Sequence, residues 1–282
     1  MALAYAPDPP AAARLAALER GELLSLPRTG FAIEPHERLL LSPDVSDGRA
    51  KNLSLGPAGG RVAGSSLDAA GQALAAALMS RFADWAAALV AEAAPAYAAA
   101  LQRGRTSLRP CEISGRALSP RKDDRRLHVD AFASRPVQGR RILRVFANVD
   151  PDGRPRVWTL GEPFEDHAAR FLPWIGRPSA ALARGRQALG LTRGRRTAYD
   201  SVMLALHDLS KADAGYQRAA PRTRMALPAG SSWIVFTDAA VHAAVAGRCA
   251  LEQTFYLPVE AMAEPERSPL RILERRLGRP LV

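Results

Sequence analysis

The chain reads as an α+β domain built around an antiparallel β-sandwich or barrel. Three observations predict this: a long helical run comes first, branched and aromatic strand segments follow, and a helix-rich stretch interrupts them. Over 282 residues, 48% hydrophobic and 24% charged, the composition is that of a globular protein with one sizeable core and decorations.

Residues 1–65 carry many Pro and Gly with short apolar pieces such as Leu39-Leu40-Leu41. They read as an irregular N-terminal arm laid over a single domain at 66–282. Ser65 with Asp68 resembles a capping box ahead of a helical run. Leu74, Leu78, Phe82, Trp85 and Leu89 recur at helical spacing, which predicts one face packed on a core. Pro95 ends or kinks that helix, and a turn-rich stretch runs on to Arg105. The texture turns to β from about Leu127. The segment from Ile142 to Val149 is rich in branched and aromatic residues and ends in Asp150-Pro151-Asp152-Gly153, with Arg156 to Leu160 as the return strand of a hairpin. A mainly helical insertion is expected over about 163–217, with an arginine cluster at Arg193, Arg195 and Arg196. Segments beginning at Ser232 and Leu251 supply the closing strands.

The net charge of +11 and the pI near 10.6 suggest an anionic partner. Lys51, Lys122 and Lys211 are the only lysines, so nearly all the positive charge is arginine. Alanine runs accompany it, and a compositional bias toward Ala and Arg explains the balance equally well. No helix-turn-helix, zinc-finger or RNA-binding aromatic motif is present, so nucleic acid is not an expected partner. Cys111 and Cys249 are too few for a disulfide framework or a cysteine-ligated zinc. The first ten residues lack a basic-then-apolar signal pattern. The most apolar stretch, Leu67 to Leu101, is broken by Arg81, Asp84 and Glu92, which argues against a membrane span. The expected compartment is the cytoplasm.

Leu127-His128-Val129-Asp130 carries the chemistry. On an extended chain His128 and Asp130 project the same way and can grip one ion. A histidine from a distant strand, His242, completes a 2-His-1-carboxylate set, the arrangement of non-haem Fe(II) oxygenases. The competing reading is a surface histidine beside a turn. His36 reads as solvated, His167 as polar helix surface, and His207 as a structural residue of the insertion helix. Arg144 interrupts an apolar strand and shares a face with Ile142, Phe146 and Asn148. A buried guanidinium needs an anion, either a ligand carboxylate or a structural partner such as Glu252. Arg248, a short step after His242, is the second candidate.

Taken together these stretches resemble the Kdo hydroxylases. The resemblance is carried by Arg121-Lys122-Asp123-Asp124, Leu127-His128-Val129-Asp130-Ala131-Phe132, Gly139 through Asn148 and Arg154-Pro155-Arg156-Val157-Trp158. Leu206-His207-Asp208, Lys211-Ala212-Asp213, Trp233 through Asp238 leading to His242, Leu251-Glu252-Gln253-Thr254-Phe255 and Ser268-Pro269-Leu270 complete it. It covers most of the chain from about 105 onward. It implies a double-stranded β-helix (jelly roll) with supporting helices and a helical insertion. It also implies Fe(II) on the catalytic set His128, Asp130 and His242, and 2-oxoglutarate as co-substrate. Arg144 and Arg109, with Arg248 and Asn148 behind them, are the expected co-substrate contacts. The implied reaction is hydroxylation at C3 of Kdo, the acidic sugar on lipid A, to give Ko; the alternative is a 2-oxoglutarate oxygenase acting on a protein side chain or another small acid. A Kdo-containing lipid A precursor is then the partner, met at the anionic inner-membrane surface, where basic residues such as Arg193 to Arg196 and Arg271 to Arg279 are attracted. The chain departs from the wider superfamily in having Glu252 where a basic residue often follows the distal histidine. The sequence leaves the oligomeric state open.

Overall fold

Two antiparallel sheets face each other, and helices cover the outer side of the larger. The protein is described by a computed structural model over residues 10–115, 118–176 and 194–282. Among these residues the strands are β1 Leu24–Leu26, β2 Leu53–Leu55, β3 Gln102–Arg109, β4 Arg141–Asn148, β5 Arg156–Leu160, β6 Thr223–Leu227, β7 Ser232–Phe236, β8 His242–Ala246 and β9 Ala250–Leu257. The helices are α1 Ala11–Glu19, α2 Ala69–Ala93, α3 Phe164–Phe171, α4 Ala198–Ala212, α5 Ala214–Ala219 and α6 Pro269–Leu277. The large sheet has the order β1-β7-β4-β9-β3-β2 and the small one β6-β5-β8.

The long helix forms as the spacing predicts, but its cap is Asp68, whose Oδ1 accepts from Gly71 N at 2.8 Å. The Ser65 hydroxyl instead donates to Val62 O. Ala75, Leu78, Met79, Phe82 and Ala86 are buried, and α2 lies against β3 and β9. Pro95 starts a separate 3-10 turn. By length and apolarity α2 passes as a membrane span. Its inner face is core, and two of its charged residues are paired, Arg81 to Glu37 and Asp84 to Arg103.

Three expectations need correction. The N-terminal arm is part of the large sheet, since it supplies both edge strands, with Leu24 opposite Ile234 and Leu53 opposite Leu108. Leu18, Leu23 and Leu40 from the same segment have no exposed surface. Strands of three residues are too short to show a period.

The β4–β5 hairpin does not form. β4 pairs with β7 and β9, whereas β5 pairs with β6 and β8, so the Asp150–Gly153 turn carries the chain from one sheet to the other. Asn148 fixes this corner by donating from Nδ2 to Arg154 O and Leu227 O, 2.9 and 3.0 Å away.

His167 is the third. It is fully buried, packed on Phe171 and Tyr216 beside Glu162, where it ties α3 to α5. His36 is exposed, as expected.

Besides β1 and β2, three further strands are not marked by the sequence. β3 holds Gly104 and three arginines, β6 is largely exposed, and β8 is mostly alanine. None has the alternation of apolar residues that marks a half-buried strand. The insertion is helical where described (α3, α4 and α5), and Arg193 of its arginine cluster lies outside the described residues. Arg196 donates to Ala133 O, and Arg195 O accepts from Gln138.

Between the sheets, one end is plugged by aromatic rings. Phe146 stacks on Trp233 at 5.1 Å, and Trp158 meets both edge-on at 4.9 and 5.6 Å. Those bulky, mutually offset rings hold the two sheets apart and leave the other end for polar side chains.

Candidate functional site

His128 and His242, far apart in sequence, are brought together by a two-bond β-bridge. His128 N donates to His242 O at 3.0 Å, and His242 N returns the bond to His128 O at 2.8 Å. Residues paired directly across an antiparallel bridge point to the same side, and the two imidazoles lie 4.7 Å apart. Asp130 joins them because its backbone N is fixed to Thr237 O at 2.8 Å. One ligand atom from each of the three residues lies within 4.8 Å of the others, and all three are buried.

Protonation prepares the set for a cation. The Nδ1 atoms of His128 and His242 lie 2.7 and 2.9 Å from the carbonyls of Arg126 and Ala240. A carbonyl only accepts, so each Nδ1 carries the proton and each Nε2 keeps its lone pair. Burial holds both histidines below the usual imidazole range, and the nearby Lys211 ammonium adds to the effect at His128. Burial alone would raise Asp130, but the Arg144 guanidinium beside it outweighs this and holds the carboxyl ionised. Asp130 Oδ2 is buried and has no hydrogen bond; Arg144 Nη1 stands 3.2 Å away in ion-pair contact. Two neutral nitrogens and one anionic oxygen on converging side chains are the donor set a divalent first-row ion takes.

The surrounding shell is ordered as well. Trp158 stacks on His242 at 5.0 Å, and His207 meets His128 edge-on at 5.2 Å. His207 is thus a neighbour of the triad, with its Nδ1 2.8 Å from Asp208 Oδ1.

Beside Asp130 opens a cavity of about 430 Å³ lined by Lys51, Arg105, Arg109, Arg135, Arg144 and Glu252, among others. Register explains the cluster. Arg144 lies opposite Thr254, and Glu252 lies opposite both Phe146 and Ser107, so alternate residues of β3, β4 and β9 share the inner face. Glu252 is the internal counter-ion: Arg109 Nη2 reaches its Oε2 at 2.7 Å, and Arg144 Nε lies 3.6 Å from its Oε1. Burial would raise Glu252, but Arg144 and Arg109 hold it below the usual carboxylate range. Lys51, Arg105, Arg109, Arg135 and Arg144 line the cavity against Glu252, with Asp130 beside it, so cationic groups outnumber carboxylates and an anionic ligand is favoured.

The remaining expected contacts lie elsewhere. Asn148 spends its amide on the sheet-to-sheet corner, and Arg248 pairs with Asp150 and Asp152 at 3.2 and 2.6 Å. Neither lines the cavity. Asn148 shares a face with Arg144 but stands four residues further along the strand, roughly 13 Å away.

Arg156 is a residue the sequence reading passed over. It is buried, donates to Gly247 O at 3.0 Å, and lines a small recess with Arg109 and Asp124. The alternation of Arg105, Ser107 and Arg109 on β3 was the available signal for a polar inner face.

A buried 2-His-1-carboxylate set next to an arginine-lined cavity, between two antiparallel sheets, defines the non-haem iron oxygenase class. Residues 5–280 match the family model of 3-deoxy-D-manno-oct-2-ulosonic acid (Kdo) hydroxylase, and the chain belongs to that family. Among solved structures it is similar to the Kdo hydroxylase KdoO, a non-heme Fe(II) alphaketoglutarate-dependent dioxygenase, in complex with alphaketoglutarate and Fe(III). That likeness has 42% identity and a TM-score of 0.92, covering 96% of this chain and 91% of that one. The cobalt(II) complex of KdoO matches at 43% identity and TM-score 0.93, covering the same shares of each chain. The complex with succinate and Fe(III) matches at 42% and 0.92, again with 96% and 91% covered. No curated protein matches the chain.

Proposed function

We propose that this chain is an Fe(II)- and 2-oxoglutarate-dependent dioxygenase that hydroxylates C3 of Kdo in the lipid A-linked inner core of lipopolysaccharide, giving Ko. The observation that carries this reading is the junction of the buried His128–Asp130–His242 set with a cavity whose charge suits acidic ligands. Both the co-substrate and the sugar are carboxylates.

Iron would be held by Nε2 of His128 and His242 and a carboxylate oxygen of Asp130. Once loaded with iron and 2-oxoglutarate, the site would supply oxidative C–H hydroxylation, splitting O2 between the new hydroxyl and succinate with release of CO2. This chain's own residues orient and exclude. Arg144 and Arg109 bind the far carboxylate of 2-oxoglutarate by charge-assisted hydrogen bonds, and Glu252 holds the two guanidinium groups in register. The Phe146–Trp158–Trp233 plug closes the inner end against water. No side chain has to act as nucleophile or general base; the work of the protein is to place the C–H bond.

The finer architecture is a double-stranded β-helix, a single domain whose N-terminal segment is woven into it. The proposed location is the cytoplasm, peripheral at the anionic inner leaflet where such a lipid is met. On α6, Arg271, Arg275 and Arg276 pair with Glu274, Glu266 and Glu165, which leaves that surface little net charge. Membrane attraction is therefore assigned to the basic rim of the cavity.

The test is anaerobic reconstitution with Fe(II), followed by succinate formation from 2-oxoglutarate and O2 with and without Kdo-lipid A. Substrate-dependent succinate with a mass gain of one oxygen on the lipid is the expected result. Succinate without lipid oxidation removes Kdo as the substrate. Absence of both iron binding and turnover overturns the oxygenase reading.

A further inference from the structure

Lys51 sits just before β2, on the segment expected to be an irregular arm laid over the domain. Its Nζ reaches Asp124 Oδ1 at 2.9 Å, and Lys211 Nζ reaches the same oxygen at 3.3 Å. The two lysines are placed very differently. The Lys211 side chain is 1% exposed, whereas that of Lys51 is 34% exposed. Asp124 is fixed independently of both, since its carbonyl accepts from Ala244 N at 2.8 Å. Lys51 lines the main cavity with Arg144, and it also lines the inner recess with Arg109 and Arg156. It therefore stands at the junction of the two spaces.

A tether is a poor account of the Lys51–Asp124 pair. Partly exposed ion pairs add little to stability, and the segment is already held by the β2–β3 and β1–β7 ladders. Asp124 keeps a counter-ion, Lys211, if Lys51 leaves. The outer ammonium can thus change partners without stranding a buried charge, and its flexible four-carbon stem allows it to reach a new one.

We propose that Lys51 is a substrate-specificity residue: its ammonium leaves Asp124 to bind an oxyanion of the incoming substrate, while Lys211 keeps Asp124 neutralised. The inference rests on the function proposed above and extends it by giving the N-terminal segment a part in selecting acidic sugar substrates. The oxyanion is the sugar carboxylate or a phosphate of the attached lipid, and two probes separate these sources.

The experiment compares the wild type, Lys51→Met and Lys51→Arg. KM and kcat are measured with a free Kdo glycoside and with a Kdo-terminated lipid A precursor, alongside Co(II) affinity and Tm. Loss of one charge-assisted contact predicts a KM about tenfold higher for Lys51→Met. Its kcat, Co(II) affinity and Tm stay close to wild type, and Lys51→Arg recovers most of the KM. A rise with both probes assigns the carboxylate; a rise with the lipid-linked probe alone assigns the phosphate. Unchanged KM for both probes overturns the proposal. So does a variant in which kcat, Co(II) affinity and Tm fall together at constant KM, because that is the signature of a tether. A wild type inactive on both probes removes the functional reading, and this one with it, and is distinguished by failing before any variant is made.

Discussion

Arg141 and Arg144 lie three residues apart on β4 and so face opposite sides of the large sheet. On the outer side Arg141 is fully buried, with Nε and Nη2 2.7 and 3.2 Å from the two oxygens of Asp238 and its guanidinium 3.9 Å over Phe236. On the inner side Arg144 has no such fork. It meets Asp130 at 3.2 Å and Glu252 at 3.6 Å, and its Nε makes no hydrogen bond. One guanidinium is satisfied by the fold and serves stability. The other keeps an Nε without a hydrogen bond beside a cavity, which is why the proposal gives it a ligand. Sheet face decides which, because neighbours across the sheet, not the residue type, supply the anion.

That contrast can be broken experimentally. The largest effect is expected beside Arg144, at the triad: Asp130→Ala abolishes Co(II) binding and takes substrate-dependent succinate to background. Retained turnover would sink the metal assignment. Next is Arg141→Met, which strands the buried Asp238 carboxylate and lowers unfolding free energy by about 3–5 kcal/mol. Adding Asp238→Leu restores much of that loss in urea denaturation. If the single variant unfolds like wild type, the outer pair is not structural.

Arg144→Met should do the reverse, weakening 2-oxoglutarate binding by about ten- to a hundredfold while Tm falls less than in Arg141→Met, because Glu252 keeps Arg109. An unaltered 2-oxoglutarate affinity would return Arg144 to the structural class. The smallest effect belongs to Glu252. Its folded pKa lies below its ordinary value, so its contribution to stability is present above the unfolded pKa, about 4.3, and is lost as pH falls through the folded value. Acid unfolding of Glu252→Gln should therefore fall less steeply with pH below that point, whereas parallel curves would show that Glu252 is not linked to folding.

Much of this was legible in the residues, and what was not has a physical cause. His128, Asp130 and His242 could be chosen because a His-x-Asp pair on an extended chain presents both ligands to one side. Arg144 could be chosen because a charge within an apolar strand demands an anion. Asn148 and Arg248 were chosen by face and proximity in sequence. The structure gives them other partners, the carbonyls of Arg154 and Leu227 and the carboxylates of Asp150 and Asp152. Arg109, reached through the family resemblance, sits in the cavity, while Arg156 was missed because nothing local distinguishes it from an exposed arginine. His167 was misread for the related reason that a polar residue among charged neighbours looks solvated until Tyr216 and Phe171 close over it.

The sequence by itself determined the chemistry available and the elements with strong periods: α2, β4, β7 and β9, and the triad residues themselves. These follow from side-chain type and from helix and strand period, which act over a few residues. Only the tertiary structure decided that β4 and β5 belong to different sheets, that the N-terminal segment closes both edges of one of them, and that Lys51 reaches Asp124. Such pairings depend on register and on which face meets which across long loops, and no local pattern of residues fixes either.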